Sequence, residues 1–118
     1  MVEINYDEKP CIFDFRFNLK EYIPARFFDT DMYAKSVELS YFIDLLTRNK
    51  MLSPNTQGIP MIWTVHYACS YHGVSFLMVY DEDYGFVSFS VDNPKNRVDI
   101  AETIKRIIEN EMHRPSLA

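Results

Sequence analysis

The side chains best suited to chemistry fall on one strand-like face. His66, Ser88, Ser90 and Asp14 supply a base, two hydroxyl nucleophiles and an orienting carboxylate, with Arg16 on the same face. Nucleophilic catalysis needs that trio within hydrogen-bond reach. Assembling it here requires a strand order and register that the sequence does not give, and such triples arise by chance in most sheets. A small hydrolase built around His66 is therefore the enzymatic alternative, and no catalytic residue is assigned.

Other chemistries are poorly supported. His66 and His72 flank Cys69, and His113 lies near the C-terminus, but no metal-ligand spacing results. Asp81-Glu82-Asp83 lacks the rest of a calcium loop and reads as a solvated hairpin tip. The three glycines, Gly58, Gly73 and Gly85, are dispersed, so no phosphate-cradling loop exists. Neither a metal nor a cofactor is expected. Cys11 and Cys69 are far apart in sequence and form no redox motif. They read as buried thiols of a cytosolic protein, with a disulfide across neighbouring strands as the alternative.

The elements follow from periodicity. Cys11, Phe13, Phe15, Phe17 and Leu19 alternate with Ile12, Asp14, Arg16 and Asn18, which predicts a strand over Cys11–Leu19, broken at Tyr22-Ile23-Pro24. Thr30 to about Lys50 reads as a helix capped by Thr30 or Asp29, with Met32, Leu39, Phe42, Ile43 and Leu46 on one face and Val37, Tyr41 and Leu45 widening it. Ile59 to Val91 reads as three strands joined by short turns. In the first of them, Met61, Trp63, Val65, Tyr67, Cys69 and Tyr71 share the apolar side. A last helix is expected from about Pro94 or Arg97 to Met112, with Asn93 as its cap before Pro94 and with Ile100, Ala101, Ile104, Ile107, Ile108 and Met112 on its inner face. The expected architecture is α+β in two layers: a four-stranded, mostly antiparallel sheet with two helices packed on one face, in the order β-α-β-β-β-α. It forms a single compact domain over residues 1–118 with short flexible termini. Trp63 and Ile104 are expected in its core.

At 118 residues, 47% hydrophobic and 25% charged, the composition is that of a globular protein. Aromatic residues reach 15%. Acidic residues outnumber basic ones, 17 to 12, for a formal charge of −5. That balance disfavours a nucleic-acid partner and favours a basic protein. The N-terminus has neither the basic nor the apolar region of a signal peptide, and no apolar run is long enough for a membrane span, so a cytoplasmic location is expected. Candidate contacts are Asp81, Glu82 and Asp83 with Tyr84; Tyr71; Asp29, Asp31 and Tyr33; and Glu3 with Asp7 and Glu8. Carboxylates speed encounter with a basic partner, and aromatic rings supply anchor area.

In size, charge and element pattern, the whole chain resembles bacterial immunity proteins, including those of contact-dependent growth inhibition systems. The resemblance rests on the overall profile and carries over no residue. It implies stoichiometric neutralisation of a cognate toxin, often a basic nuclease, by a monomer or homodimer without enzymatic activity. A small acidic secretion chaperone or adaptor is the alternative, with the broad apolar stripe of the first helix as a dimer face.

Overall fold

The computed structural model describes residues 2–23 and 37–112. It corrects the expected four-stranded sheet: six strands form one antiparallel sheet in the order β1-β2-β6-β5-β4-β3. The strands are β1 (Glu3–Tyr6), β2 (Ile12–Arg16), β3 (Ile59–Pro60), β4 (Thr64–Tyr71), β5 (Val74–Asp81) and β6 (Val87–Val91). Among the described residues three α-helices accompany them: a single turn, α1 (Leu19–Tyr22), and two longer ones, α2 (Val37–Arg48) and α3 (Arg97–Met112).

The two added strands lie at the sheet edges. β1 is four residues, Glu3-Ile4-Asn5-Tyr6, that pair Asn5 with Asp14 and Tyr6 with Phe13. The turn that returns it to β2 is closed by Asp7 N–H donating to the Ile12 carbonyl at 3.0 Å. Arg97 holds that turn from α3. Its Nη1 donates to the carbonyls of Asp7, Lys9 and Ile12 at 3.0, 3.2 and 3.3 Å, and its guanidinium lies 4.9 Å from the Tyr6 ring centre. β3 is two residues long, and Pro60 suits an outermost strand because it has no N–H to donate.

The strand expected over Cys11–Leu19 is shorter. Asn18 followed by Glu21 is a helix-start pattern, and the N–H groups of Glu21 and Tyr22 bond the Asn18 carbonyl at 3.0 and 3.1 Å, turning the chain into α1. The expected start of the next helix, including Asp29, Thr30, Asp31 and Met32, lies outside the described residues. Its end is set by Lys50, whose φ of 59° places it in the left-handed region, while Met51 N–H caps the Leu46 carbonyl at 2.9 Å. α3 begins as expected: Asn93 Oδ1 accepts from Lys95 N–H at 3.0 Å, with Pro94 following it in a 3₁₀ turn.

Both long helices cover the apolar face of the sheet. Phe42 of α2 packs against Phe15 and Phe89, with ring centres 6.2 and 5.4 Å away, and Phe13 stacks on Phe89 at 5.3 Å. Ile100, Ala101, Ile104 and Ile108 of α3 are buried in the same core, each isoleucine contributing about 1.5–3 kcal/mol. Val37, Tyr41, Phe42, Leu45 and Leu46 place the described apolar stripe of α2 inside that core. Arg48 joins the two helices, pairing with Asp44 at 2.8 Å and with Glu111.

Candidate protein-binding surface

The described strand containing Thr64 does not begin at Met61. The chain reverses there: Ile59 and Pro60 pair back onto His66 and Val65, and Met61 N–H bonds the Thr64 carbonyl at 2.7 Å. Met61, Ile62 and Trp63 form the tip of this reversal. Trp63 is 65% exposed and Ile62 84%, so the expected core position of Trp63 and Met61 is incorrect. Gly58 sets where the reversal starts, because its α-carbon lies against Val65 and Tyr67. A Cβ there would collide with Val65 Cγ1 and come within 2.8 Å of the Tyr67 ring.

A second loop stands beside the first. Thr64 faces Asp81 at the end of the β4–β5 ladder, and Glu82 N–H donates to the Trp63 carbonyl at 3.1 Å. This bond places the apolar tip against the acidic β5–β6 hairpin. Asp81 shapes the hairpin. Its Oδ1 accepts from the N–H groups of Asp83 and Tyr84, both at 2.9 Å, while its own N–H bonds the Phe86 carbonyl. The Glu82 and Asp83 side chains project at the surface, and Tyr84 is 81% exposed. Ile59, Met61 and Phe86 add exposed apolar side chains. Two adjacent loops therefore present indole, phenol and aliphatic surface next to carboxylates.

Grouped exposed apolar side chains rimmed by charge mark interaction surfaces. Of the expected partner-binding residues, Asp81, Glu82, Asp83 and Tyr84 belong to this corner. Tyr71 does not. It ends β4 seven residues from Thr64, about 23 Å away at the rise of a strand, with its ring centre 4.1 Å from that of His72. Asp29, Asp31 and Tyr33 lie outside the described residues. Glu3, Asp7 and Glu8 sit at the opposite side of the sheet, around β1. Sequence reasoning missed Ile59, Ile62, Trp63 and Phe86. The available signal was the unbroken apolar run Ile59-Pro60-Met61-Ile62-Trp63, which does not alternate as a half-buried strand must.

The polar face does not bring the expected trio together. One row crosses the sheet as Asn5, Asp14, Ser88, Val79, His66 and Ile59. Asp14 and Ser88 are neighbours, but Val79 separates Ser88 from His66 by two strand spacings, about 10 Å. Asp14 accepts from Asn5 Nδ2 at 3.3 Å, and His66 Nε2 lies 2.9 Å from Thr64 Oγ1. Ser90 stands between Ile12 and Leu77, and Arg16 faces Glu3. No nucleophile–base contact results.

Cys11 and Cys69 occupy one row of the apolar face, the Cys11 carbonyl accepting from Val91 N–H and Val91 facing Phe76, which faces Cys69. Three strand spacings, about 14 Å, rule out a disulfide between them. Burial pushes the Cys69 thiol up to about 12, partly opposed by a backbone hydrogen bond from Met78, so it is protonated at neutral pH. Among the described residues no three His, Cys, Asp or Glu side chains converge on a metal-sized site. A hollow of about 410 Å³ between α2 and α3 is lined by Arg48, Asn49, Ile107, Asn110 and Glu111. Arg48 and Glu111 there are already paired. No helix among the described residues is long and apolar enough to cross a membrane. No family model, curated protein or solved structure matches this chain.

Proposed function

We propose that this protein is a stoichiometric protein-binding module that neutralises a basic partner in the cytoplasm, in the manner of a bacterial toxin-immunity protein. The observation that carries the reading is the corner where Met61–Trp63 meets Glu82–Phe86. The apolar side chains supply contact area that gains free energy on leaving water, and the adjoining carboxylates accelerate encounter with positive charge. The described core already accounts for the helices, so this corner stands apart from what folding needs. No catalytic step is assigned.

A pull-down from the source cells, with the product of the gene immediately upstream included, tests the proposal. Wild-type bait should retain a basic protein at one-to-one stoichiometry. A Trp63→Ala/Tyr84→Ala bait that melts like wild type should lose it. Equal capture by both baits, or no partner on the wild-type bait, would overturn the reading.

A further inference from the structure

We infer that the partner meets this corner with an arginine, whose guanidinium lies on the Trp63 indole and pairs with the Asp83 carboxylate. The inference rests on the protein-binding reading above and names the group at its centre. From Ile59 to Thr64 and from Asp81 to Val87 the chain carries three carboxylates and no lysine or arginine. Asp81 is committed to the backbone of its own turn, whereas Asp83 is exposed and its carboxylate makes no hydrogen bond or ion pair among the described residues. Trp63 offers an exposed indole on the adjoining loop, whose backbone the Glu82–Trp63 bond holds against the hairpin one residue before Asp83.

A guanidinium fits both halves of that surface. It is planar, weakly hydrated and donates in a fork, so it can stack on an indole while bonding a carboxylate. A lysine ammonium is a compact, strongly hydrated charge and gains less from the ring face. A second copy of this chain would bring its own three carboxylates against these three, and an anionic membrane would bring phosphates. Charge complementarity therefore selects a basic protein, and the flat indole selects arginine within it.

Trp63 is the chain's one tryptophan, so its fluorescence reports this surface alone. The probes are two blocked octapeptides of equal charge, four Arg-Gly repeats and four Lys-Gly repeats. The arginine peptide should change Trp63 emission saturably and bind about tenfold tighter than the lysine peptide. Calorimetry should show its binding weakened about tenfold by Trp63→Ala and about threefold by Asp83→Asn, with both variants melting like wild type. Equal affinity for the two peptides, no binding of either, or binding unaffected by Trp63→Ala would overturn the arginine inference. So would a dimer that Trp63→Ala dissociates in sedimentation, because the occupant would then be a second copy. The pull-down separates the two ideas. A basic partner lost from the Trp63→Ala/Tyr84→Ala bait, together with indifferent peptides, removes the arginine and leaves the binding surface. A partner retained by that bait removes the surface itself.

Discussion

The Trp63 carbonyl accepts a hydrogen bond from the Glu82 N–H at 3.1 Å, which ties the most exposed apolar loop to the acidic hairpin tip. Each loop alone is an ordinary chain reversal. Joined, they place an indole and a phenol beside carboxylates on backbone anchored at the ends of β4 and β5. The energetic contribution of these side chains to folding should accordingly be small.

Trp63→Ala should change stability by less than about 1 kcal/mol, because the side chain is mostly in water already. Ile104→Ala removes a fully buried side chain and should cost about 2–5 kcal/mol. Chemical denaturation of the two variants checks the contrast. A large loss for Trp63→Ala would place its indole in the core.

The three carboxylates of the tip should not behave alike. Asp81→Ala removes an acceptor used by two N–H groups and should cost about 1–3 kcal/mol. Asp83→Lys should leave the melting temperature nearly unchanged while altering affinity for a basic protein. Thermal melts of both, run in parallel, would contradict this account if Asp83→Lys were the less stable.

Glu38 gives the fold a distinctive pH dependence. Its Oε1 accepts from Val87 N–H at 3.4 Å just beyond Ser88, where the β2–β6 pairing stops. Burial raises its carboxyl to about 7; the Val87 hydrogen bond pulls it down and the nearby Asp14 charge pushes it up. In the unfolded chain this group loses its proton near pH 4.3. Between those values the folded protein holds a proton that the unfolded chain releases, so this group's contribution falls as pH rises and is least favourable above pH 7. Glu38→Gln removes the titration and keeps an acceptor for Val87. Relative to wild type, the variant should gain about 1–3 kcal/mol between pH 4.5 and pH 8, read from urea midpoints. A wild-type–variant difference that is flat across this range would show that Glu38 titrates normally.

Gly58→Ala should destabilise by about 1–3 kcal/mol, because the new methyl would strike Val65 and Tyr67. Val65→Ala in the same chain should recover part of that loss, a coupling measurable in a double-mutant cycle. Strict additivity of the two substitutions would mean that the contact is relieved by movement elsewhere.

The sequence is legible where one period dominates. Val87, Phe89 and Val91 point inward and Ser88 and Ser90 outward as alternation requires, and Ile100, Ile104 and Ile108 lie on the buried face of α3. β1 and β3 escaped because four and two residues are too few to show a period, and each gains its structure from a longer neighbour. Trp63 escapes the pattern for a related reason: the alternation that holds from Val65 onward stops at a reversal, which Pro60 and the unbroken apolar run mark. The acidic tip was legible as a charged loop. Its apolar companion was not, because the contact between Trp63 and Glu82 depends on how β4 and β5 align.

The pairing of β2 with β6 sets the order in which the molecule can assemble. β4 and β5 are joined through His72-Gly73, both at positive φ, and β6 follows a short tip, so the meander closes with little loss of chain entropy. Bringing Asp14 opposite Ser88 instead closes a loop spanning most of the chain. The meander is therefore the expected nucleus, and the N-terminal hairpin should dock onto its β6 edge late. Truncating Phe13, which stacks on Phe89 across that seam, should therefore accelerate unfolding far more than it slows folding.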